Sequence, residues 1–249
     1  MSRRAIVTGG GTGIGAAVAR RLALAGDIVT IVGRRPEPLA ATAEKINAAA
    51  GTQRVRWHAA DLCDPEQVAA MAEAILPPGQ TLDVLVNNAG GNFVPAPSTD
   101  LAGIRADWLA NLTGNILPAV LVTAAVLPAL RRPGGRIVTV TSVAAFRGPA
   151  TYGGAKAALH PWSAELALKL APEGISVNVV APGYVMDTEF YGTRMTPEFH
   201  RSRADLAPAR RGGTPDEIAA TVAHLAEEAA GFLTGQIVQV NGGQLLGRG

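Results

Sequence analysis

The chain has 249 residues, 22 basic against 20 acidic side chains and 48% hydrophobic residues, which is ample for a buried core and too little charge for a disordered polypeptide. Its single cysteine, Cys63, excludes an intrachain disulfide and a cysteine-built zinc site, and the four histidines (His58, His160, His200, His224) lack metal-ligand spacing, so no metal is expected. No run of Lys or Arg exceeds two residues, the N-terminal MSRRAIVTGGG lacks the apolar core of a signal peptide, and the apolar stretch 116–130, broken by Pro118 and Pro128, is shorter than the roughly 20 residues of a bilayer span. A cytoplasmic protein is expected, with neither nucleic acid nor membrane as partner.

Short β-branched runs at 5–8, 28–32, 55–58, 82–87, 136–141, 176–181 and 236–240 alternate with helical segments near 14–25, 37–50, 65–76, 102–130, 151–171 and 215–229. Continuously apolar strands joined by helices predict a parallel sheet covered on both faces, a Rossmann-like doubly wound α/β fold. The dipeptides Asp64-Pro65 and Thr214-Pro215 read as a capping residue followed by proline at the first helical position. With no repeat and no linker, one domain is expected. In such a sheet ligands bind beyond the carboxyl ends of the strands, so the residues after each strand carry the functional reading.

After the first strand comes Thr8-Gly9-Gly10-Gly11-Thr12-Gly13-Ile14-Gly15, opening the first helix. Glycine permits positive φ and a close approach of phosphate to backbone, and the helix N-terminus offers free N–H groups to a pyrophosphate. After the second strand stand Gly33-Arg34-Arg35 where dinucleotide folds usually carry an acid for the ribose hydroxyls. A guanidinium there suits a ribose 2′-phosphate, which points to NADP(H) over NAD(H), with Arg34 the better placed and Arg35 free to face solvent. After the third strand, Asp61-Leu62 offers a carboxylate to an adenine amino group or a cap to the next helix. After the fourth, Asn87-Asn88-Ala89-Gly90 either holds a loop open beside a ligand or simply turns. After the fifth come Thr141-Ser142, and then Tyr152 and Lys156, four apart on one helix face. An ammonium beside a phenol favours phenolate and would lower the tyrosine's pKa. Tyr152 then fits a proton donor to a carbonyl under hydride attack, with Ser142 a second hydrogen bond to the carbonyl oxygen. Lys156 is conspicuous because the chain otherwise prefers arginine, carrying only Lys45, Lys156 and Lys169 as lysines.

These pieces, with Asn111, Pro182-Gly183 and Asn241-Gly242-Gly243, resemble the short-chain dehydrogenase/reductase family from first strand to last, most closely its 3-oxoacyl-[acyl-carrier-protein]-reductase-like members. The resemblance implies an enzyme in which Tyr152 is the general acid/base, Ser142 orients the carbonyl, Lys156 binds the nicotinamide ribose and lowers the Tyr152 pKa, and Asn111 holds a water leading from Lys156 to solvent. It places Gly9, Thr12, Gly13, Ile14 and Gly15 along the phosphates, Asn88, Ala89 and Gly90 near the ribose, and Val185 and Thr188 near the carboxamide. Two departures stand out. The interval from Ser142 to Tyr152 is ten residues where the family more often shows about thirteen, and Thr188 lies one residue farther than usual from Pro182-Gly183.

Beyond the sixth strand, Tyr184, Phe190, Tyr191, Phe199, Met186 and Met195 mark a lid at about 184–213, either an adaptable apolar substrate pocket or a small satellite core. Arg194, Arg201, Arg203, Arg210 and Arg211 would meet an anionic substrate or acidic carrier, or form a solvated face. Helices 102–130 and 151–171 are apolar on more than one face, and the resemblance implies a homodimer or homotetramer packed through them. The leading expectation is an NADPH-dependent reductase of a carbonyl compound, including a carrier-bound acyl thioester. The alternatives are an NAD-dependent alcohol dehydrogenase of the same family and a non-catalytic dinucleotide-binding member.

Overall fold

The computed structural model describes residues 2–94, 96–194 and 196–247. Seven strands, β1 (Arg4–Thr8), β2 (Ile28–Gly33), β3 (Val55–Ala59), β4 (Val84–Asn87), β5 (Arg136–Val140), β6 (Ser176–Pro182) and β7 (Ile237–Val240), form one sheet in the order β3-β2-β1-β4-β5-β6-β7. Every pairing is parallel. The chain winds outward from β1 to β3, returns to the far side of β1 and continues to β7. The crevice where the order reverses therefore opens at the carboxyl ends of β1 and β4.

Helices α1 (Gly13–Leu24), α2 (Pro36–Ala50) and α8 (Pro215–Ala226) cover one face, and α3 (Pro65–Ile75), α4 (Leu101–Val126) and α6 (Ala150–Leu170) the other. Leu22, Leu39, Ile46, Ile218 and Leu225 fill the first layer, and Met71, Val122, Val126 and Leu170 the second. Each such side chain stabilises the fold by about 2 kcal/mol on burial. The expected caps are present: Asp64 accepts from the N–H groups of Glu66 and Gln67, and Thr214 and Glu217 form a reciprocal capping box.

Differences from expectation are local. Strand β4 begins at Val84, because Leu82 makes only an isolated bridge to Leu130. The last turns of the expected fourth and final helices are 3-10 turns, Leu127–Ala129 and Glu228–Ala230. Two further helices occur, α5 (Ala144–Arg147) and α7 (Pro197–Ala204), with a 3-10 stretch at Glu189–Arg194. The apolar stretch 116–130 lies within the helix expected at 102–130. It is the second half of a helical segment running from Leu101 to Ala129, 29 residues with a mean hydropathy of 1.7 in its most apolar window, long and apolar enough by composition to cross a membrane. In this fold α4 instead packs on α3, α6 and β4.

Candidate active site

A cleft of about 1270 Å3 lies over the carboxyl ends of the strands. Of the residues expected at the site, Gly15 and Asn111 stand back from it and all the others border it. Gly9 (φ 65°) and Gly13 (φ 52°) adopt left-handed backbone, and a Cβ on Gly9 would lie 2.9 Å from Asn88 Nδ2 and 3.0 Å from Ala89 Cα. Helix α1 starts without a side-chain cap and without an acid in its first turn, so its N–H groups face the cleft unoccupied by the chain's own oxygens. This cradle fits the pyrophosphate of a dinucleotide. Gly15 serves packing, not contact: a Cβ there would fall 2.2 Å from the Gly9 carbonyl oxygen.

Asn88 braces the turn, donating from Nδ2 to the carbonyls of Thr8 (3.0 Å) and Gly9 (3.3 Å). Asp61 does not cap α3. Its Oδ1 accepts from the Cys63 N–H at 3.0 Å, while Asp64 does the capping. Leu62 is buried at the cleft floor. Arg34 and Arg35 both border the cleft after β2. Arg35 is not simply solvated, as its guanidinium pairs with Glu189 of the lid at 2.6 Å.

The chemistry-bearing residues converge at the ends of β5 and α6. Tyr152 and Lys156 are both buried on α6, at 7% and 4% exposure. The Ser142 hydroxyl, hydrogen-bonded with the Tyr152 phenol, also accepts from the Ala144 N–H at 3.1 Å, which fixes the loop after β5. Lys156 Nζ donates to the Val140 carbonyl at 3.2 Å. The expected lowering of the Tyr152 pKa is corrected by this geometry. Burial pushes the phenol above its ordinary value, the Ser142 hydrogen bond pulls it part of the way back, and Lys156 contributes nothing resolvable. Burial likewise brings Lys156 down to about 8. Asn111 is fully buried in α4: its Oδ1 accepts from the Phe93 N–H (3.2 Å), its Nδ2 donates to Thr151 Oγ1 (3.0 Å), and its carbonyl accepts from Asn115 Nδ2 (2.9 Å). Its side chain thus ties α4 to the residue before Tyr152.

The apolar side chains of Phe93, Leu109, Pro149, Phe190, Tyr191 and Leu206 also border the cleft. The lid is both pocket and satellite core. Phe190 lies 5.4 Å from the Tyr152 ring, Tyr191 packs on Tyr184, Phe190 and Phe199, and the Tyr184 hydroxyl bonds His200 Nδ1 at 2.7 Å. Thr188 packs its methyl 3.3 Å from where a Gly13 Cβ would be, and Val185 bridges to Gly213. Arg201, Arg210 and Arg211 pair with acids of their own segment, whereas Arg203, stacked on Phe199, borders the cleft. Met195 and the side chain of Arg194 lie outside the described residues. Among the described residues no group of three His, Cys, Asp or Glu could hold a metal ion.

A family model described as enoyl-(acyl carrier protein) reductase matches residues 9–244. A 3-oxoacyl-[acyl-carrier-protein] reductase of Aquifex aeolicus is 34% identical over 244 residues, covering 96% of this chain and 95% of its own. The chain belongs to the short-chain dehydrogenase/reductase family. An oxidoreductase of Mycobacterium tuberculosis is 37% identical, covering 96% of this chain and 90% of its own. The NADP complex of RhlG from Pseudomonas aeruginosa superposes with a TM-score of 0.86 at 33% identity, covering 98% and 96% of the two chains. This short-chain dehydrogenase/reductase is accordingly an oxidoreductase of a family that uses NAD(P)H, with the seven-stranded Rossmann-like sheet that its sequence implies. Asn115 and the apolar residues that border the cleft before the lid were not singled out from sequence. For Asn115 a signal existed: a second carboxamide four residues after Asn111, opening the apolar half of the helix.

Proposed function

We propose that the chain is a single catalytic domain that reduces a carbonyl compound with NADPH, Tyr152 giving the proton. The observation that carries this reading is a buried phenol hydrogen-bonded to Ser142, one helical turn from a buried lysine, beside a glycine cradle and an uncapped helix. The cradle residues Gly9, Thr12, Gly13 and Ile14 would hold the pyrophosphate, Arg34 with Arg35 the 2′-phosphate, and Lys156 the ribose beside the nicotinamide, while Val185 and Thr188 would meet the carboxamide. When bound, the reduced nicotinamide supplies the hydride.

The chain's own groups supply the rest. Ser142 and Tyr152 bring two hydroxyls to one substrate oxygen, which holds the carbonyl for attack. Burial keeps the proton on the Tyr152 oxygen at neutral pH, so the phenol is ready to give it to the developing alkoxide. Asn111 keeps α4 against the first turn of α6 and so sets where Tyr152 stands. Phe190 and the other apolar side chains bordering the cleft would shield the reacting carbonyl from water. Arg203 at the cleft's border would meet the anionic part of a larger substrate, a carrier-bound acyl thioester included. Relatives such as the Aquifex aeolicus reductase, and the NADP-bound neighbour, support both cofactor and direction.

The test is a panel of ketones and acyl thioesters assayed with NADPH and NADH. Wild type should use NADPH at least tenfold better in kcat/KM. Tyr152→Phe should lose at least 100-fold in kcat and still bind NADPH. Equal binding of the two cofactors would remove the 2′-phosphate assignment, and a Tyr152→Phe variant with full activity would remove the acid.

A further inference from the structure

Two fully buried asparagines sit one turn apart in α4, and they do different things. Asn111 faces the Tyr152 end of the site. Asn115 faces the loop after β4: its Nδ2 donates to the Gly91 carbonyl (2.9 Å) and to the Asn111 carbonyl (2.9 Å), and its Oδ1 accepts from the Gly91 N–H (3.1 Å). The carboxamide thus pairs with the peptide of Gly91 through two antiparallel hydrogen bonds, as one strand residue pairs with another. A buried carboxamide is tolerated only when its donors are satisfied, and both are.

What this pairing holds is the neighbouring Gly90. Its φ of 151° lies outside the range of ordinary side chains, and a Cβ there would fall 2.6 Å from Asn115 Oδ1 and 3.0 Å from Lys156 Nζ. The Asn115 oxygen and the Lys156 ammonium therefore converge on one side of the Gly90 Cα, and only the absence of a side chain lets them do so. Gly90 and Gly91 both border the cleft. Among the described residues, Lys156 otherwise has one hydrogen-bond partner, the Val140 carbonyl.

We propose that Asn115 is a positioning residue of the proton-transfer site: it clamps Gly90-Gly91 and turns its carboxamide oxygen toward the Lys156 ammonium, so that α4 braces Lys156 through Asn115 and Tyr152 through Asn111. The inference rests on the reductase reading for its catalytic meaning but not for its geometry. Lys156 Nζ meets Val140 of β5, Gly90 of the β4 loop and, across Gly90, Asn115 of α4, while on its own helix Tyr152 lies one turn before it and His160, bonded to Thr141, one turn after. No charged side chain among the described residues contributes to its titration, which burial alone displaces. A dipole added to or removed from this setting has a defined sign. Losing the carboxamide oxygen makes the ammonium harder to hold, and a carboxylate in its place makes it easier.

The chain has only three lysines, so 13C-labelled lysine resolves the titration of Lys156 by NMR with Lys45 and Lys169 as internal references. In the full-length protein, Asn115→Leu should move the Lys156 midpoint down by about half a pH unit or more, and the isosteric Asn115→Asp should move it up by about one. In the ketone assay Asn115→Leu should lower kcat about tenfold or more, while NADPH binding by fluorescence stays within about threefold. Should Asn115→Leu not fold, Asn115→Asp alone carries the test. A Lys156 midpoint unmoved in the variants that fold overturns the proposal, whatever happens to kcat. Midpoints that move as stated, in a protein whose wild type reduces no ketone or thioester, would refute the proposed function and leave Asn115's placement of Lys156 standing.

Discussion

Burying the Lys156 ammonium destabilises the folded chain wherever it is charged. The group titrates at about 8 in the fold and near 10.5 when exposed, which amounts to about 3 kcal/mol of lost stability at neutral pH. The sign follows from proton counting: between pH 8 and 10.5 the unfolded chain binds more protons, so stability rises with pH through that window. Lys156→Met keeps the volume, removes the charge and leaves the Val140 carbonyl without its donor, an offset of about 1 kcal/mol. The variant should therefore be inactive in the ketone assay and yet about 2 kcal/mol more stable than wild type at pH 7. Thermal unfolding at pH 7 and pH 10 checks this, because the gain must shrink at the higher pH. A Lys156→Met variant less stable than wild type at pH 7 would mean that the buried ammonium is compensated by partners other than Val140.

The stem of the lid is tied to the loops after β1 and β2. Thr188 rests on Gly13, and Glu189, at the start of the Glu189–Arg194 turn, pairs with Arg35 just before α2. Both partners of that pair are more than half exposed, so the bond itself adds under about 1 kcal/mol. It also occupies a guanidinium assigned to the 2′-phosphate. Glu189→Gln should release it, tightening NADPH by about two- to fivefold and leaving NADH unchanged, as measured by fluorescence titration of the purified protein. Loosened NADPH would instead mean that the pair closes the lid over bound cofactor. The seven strands and their crossover helices were legible because continuous Val and Ile runs such as 28–32 cannot be anything but buried, and because Asp64-Pro65 and Thr214-Pro215 announce helix starts locally. Helix α7 was not legible: its sequence PEFHRSRA is polar on most sides, and it is held by the Thr196 cap, Pro197 and the lid aromatics instead of by an apolar stripe. At the site, residue types and spacing named Ser142, Tyr152 and Lys156. They could not give the direction of the Tyr152 shift, which depends on how completely the fold dries the phenol. Nor could they give the contacts of Asn115, which meets Gly90 and Gly91 in a backbone conformation that no local pattern specifies.

Seen at the scale of the whole molecule, the outer helix layer is less buried than its composition requires. Only 33% of the most apolar window of the segment from Leu101 to Ala129 is buried. Leu101 (86%), Ile104 (38%) and Trp108 (38%) are exposed along α4, and Leu168 (79%) near the end of α6, the two helices expected from sequence to pack against a second subunit. The two buried asparagines of α4 bond to the cleft loops, while its Leu101, Ile104 and Trp108 stay exposed and form the face predicted to meet another copy of the chain. A stable dimer face of about 800 Å2 per partner is well within the reach of two helices of 26 and 21 residues. The wild-type protein should therefore elute as a dimer or tetramer in size exclusion with light scattering at micromolar concentration. Ile104→Glu combined with Leu168→Glu puts like charges on both helices of that face and should shift the mass toward the monomer without changing the ligand-binding cleft. A monomeric wild type would show that these side chains tolerate solvent and that the site is complete within one chain. A double variant that keeps the wild-type mass would move the interface elsewhere, with the exposed Phe232 and Leu246 near the β7 edge the next surface to charge.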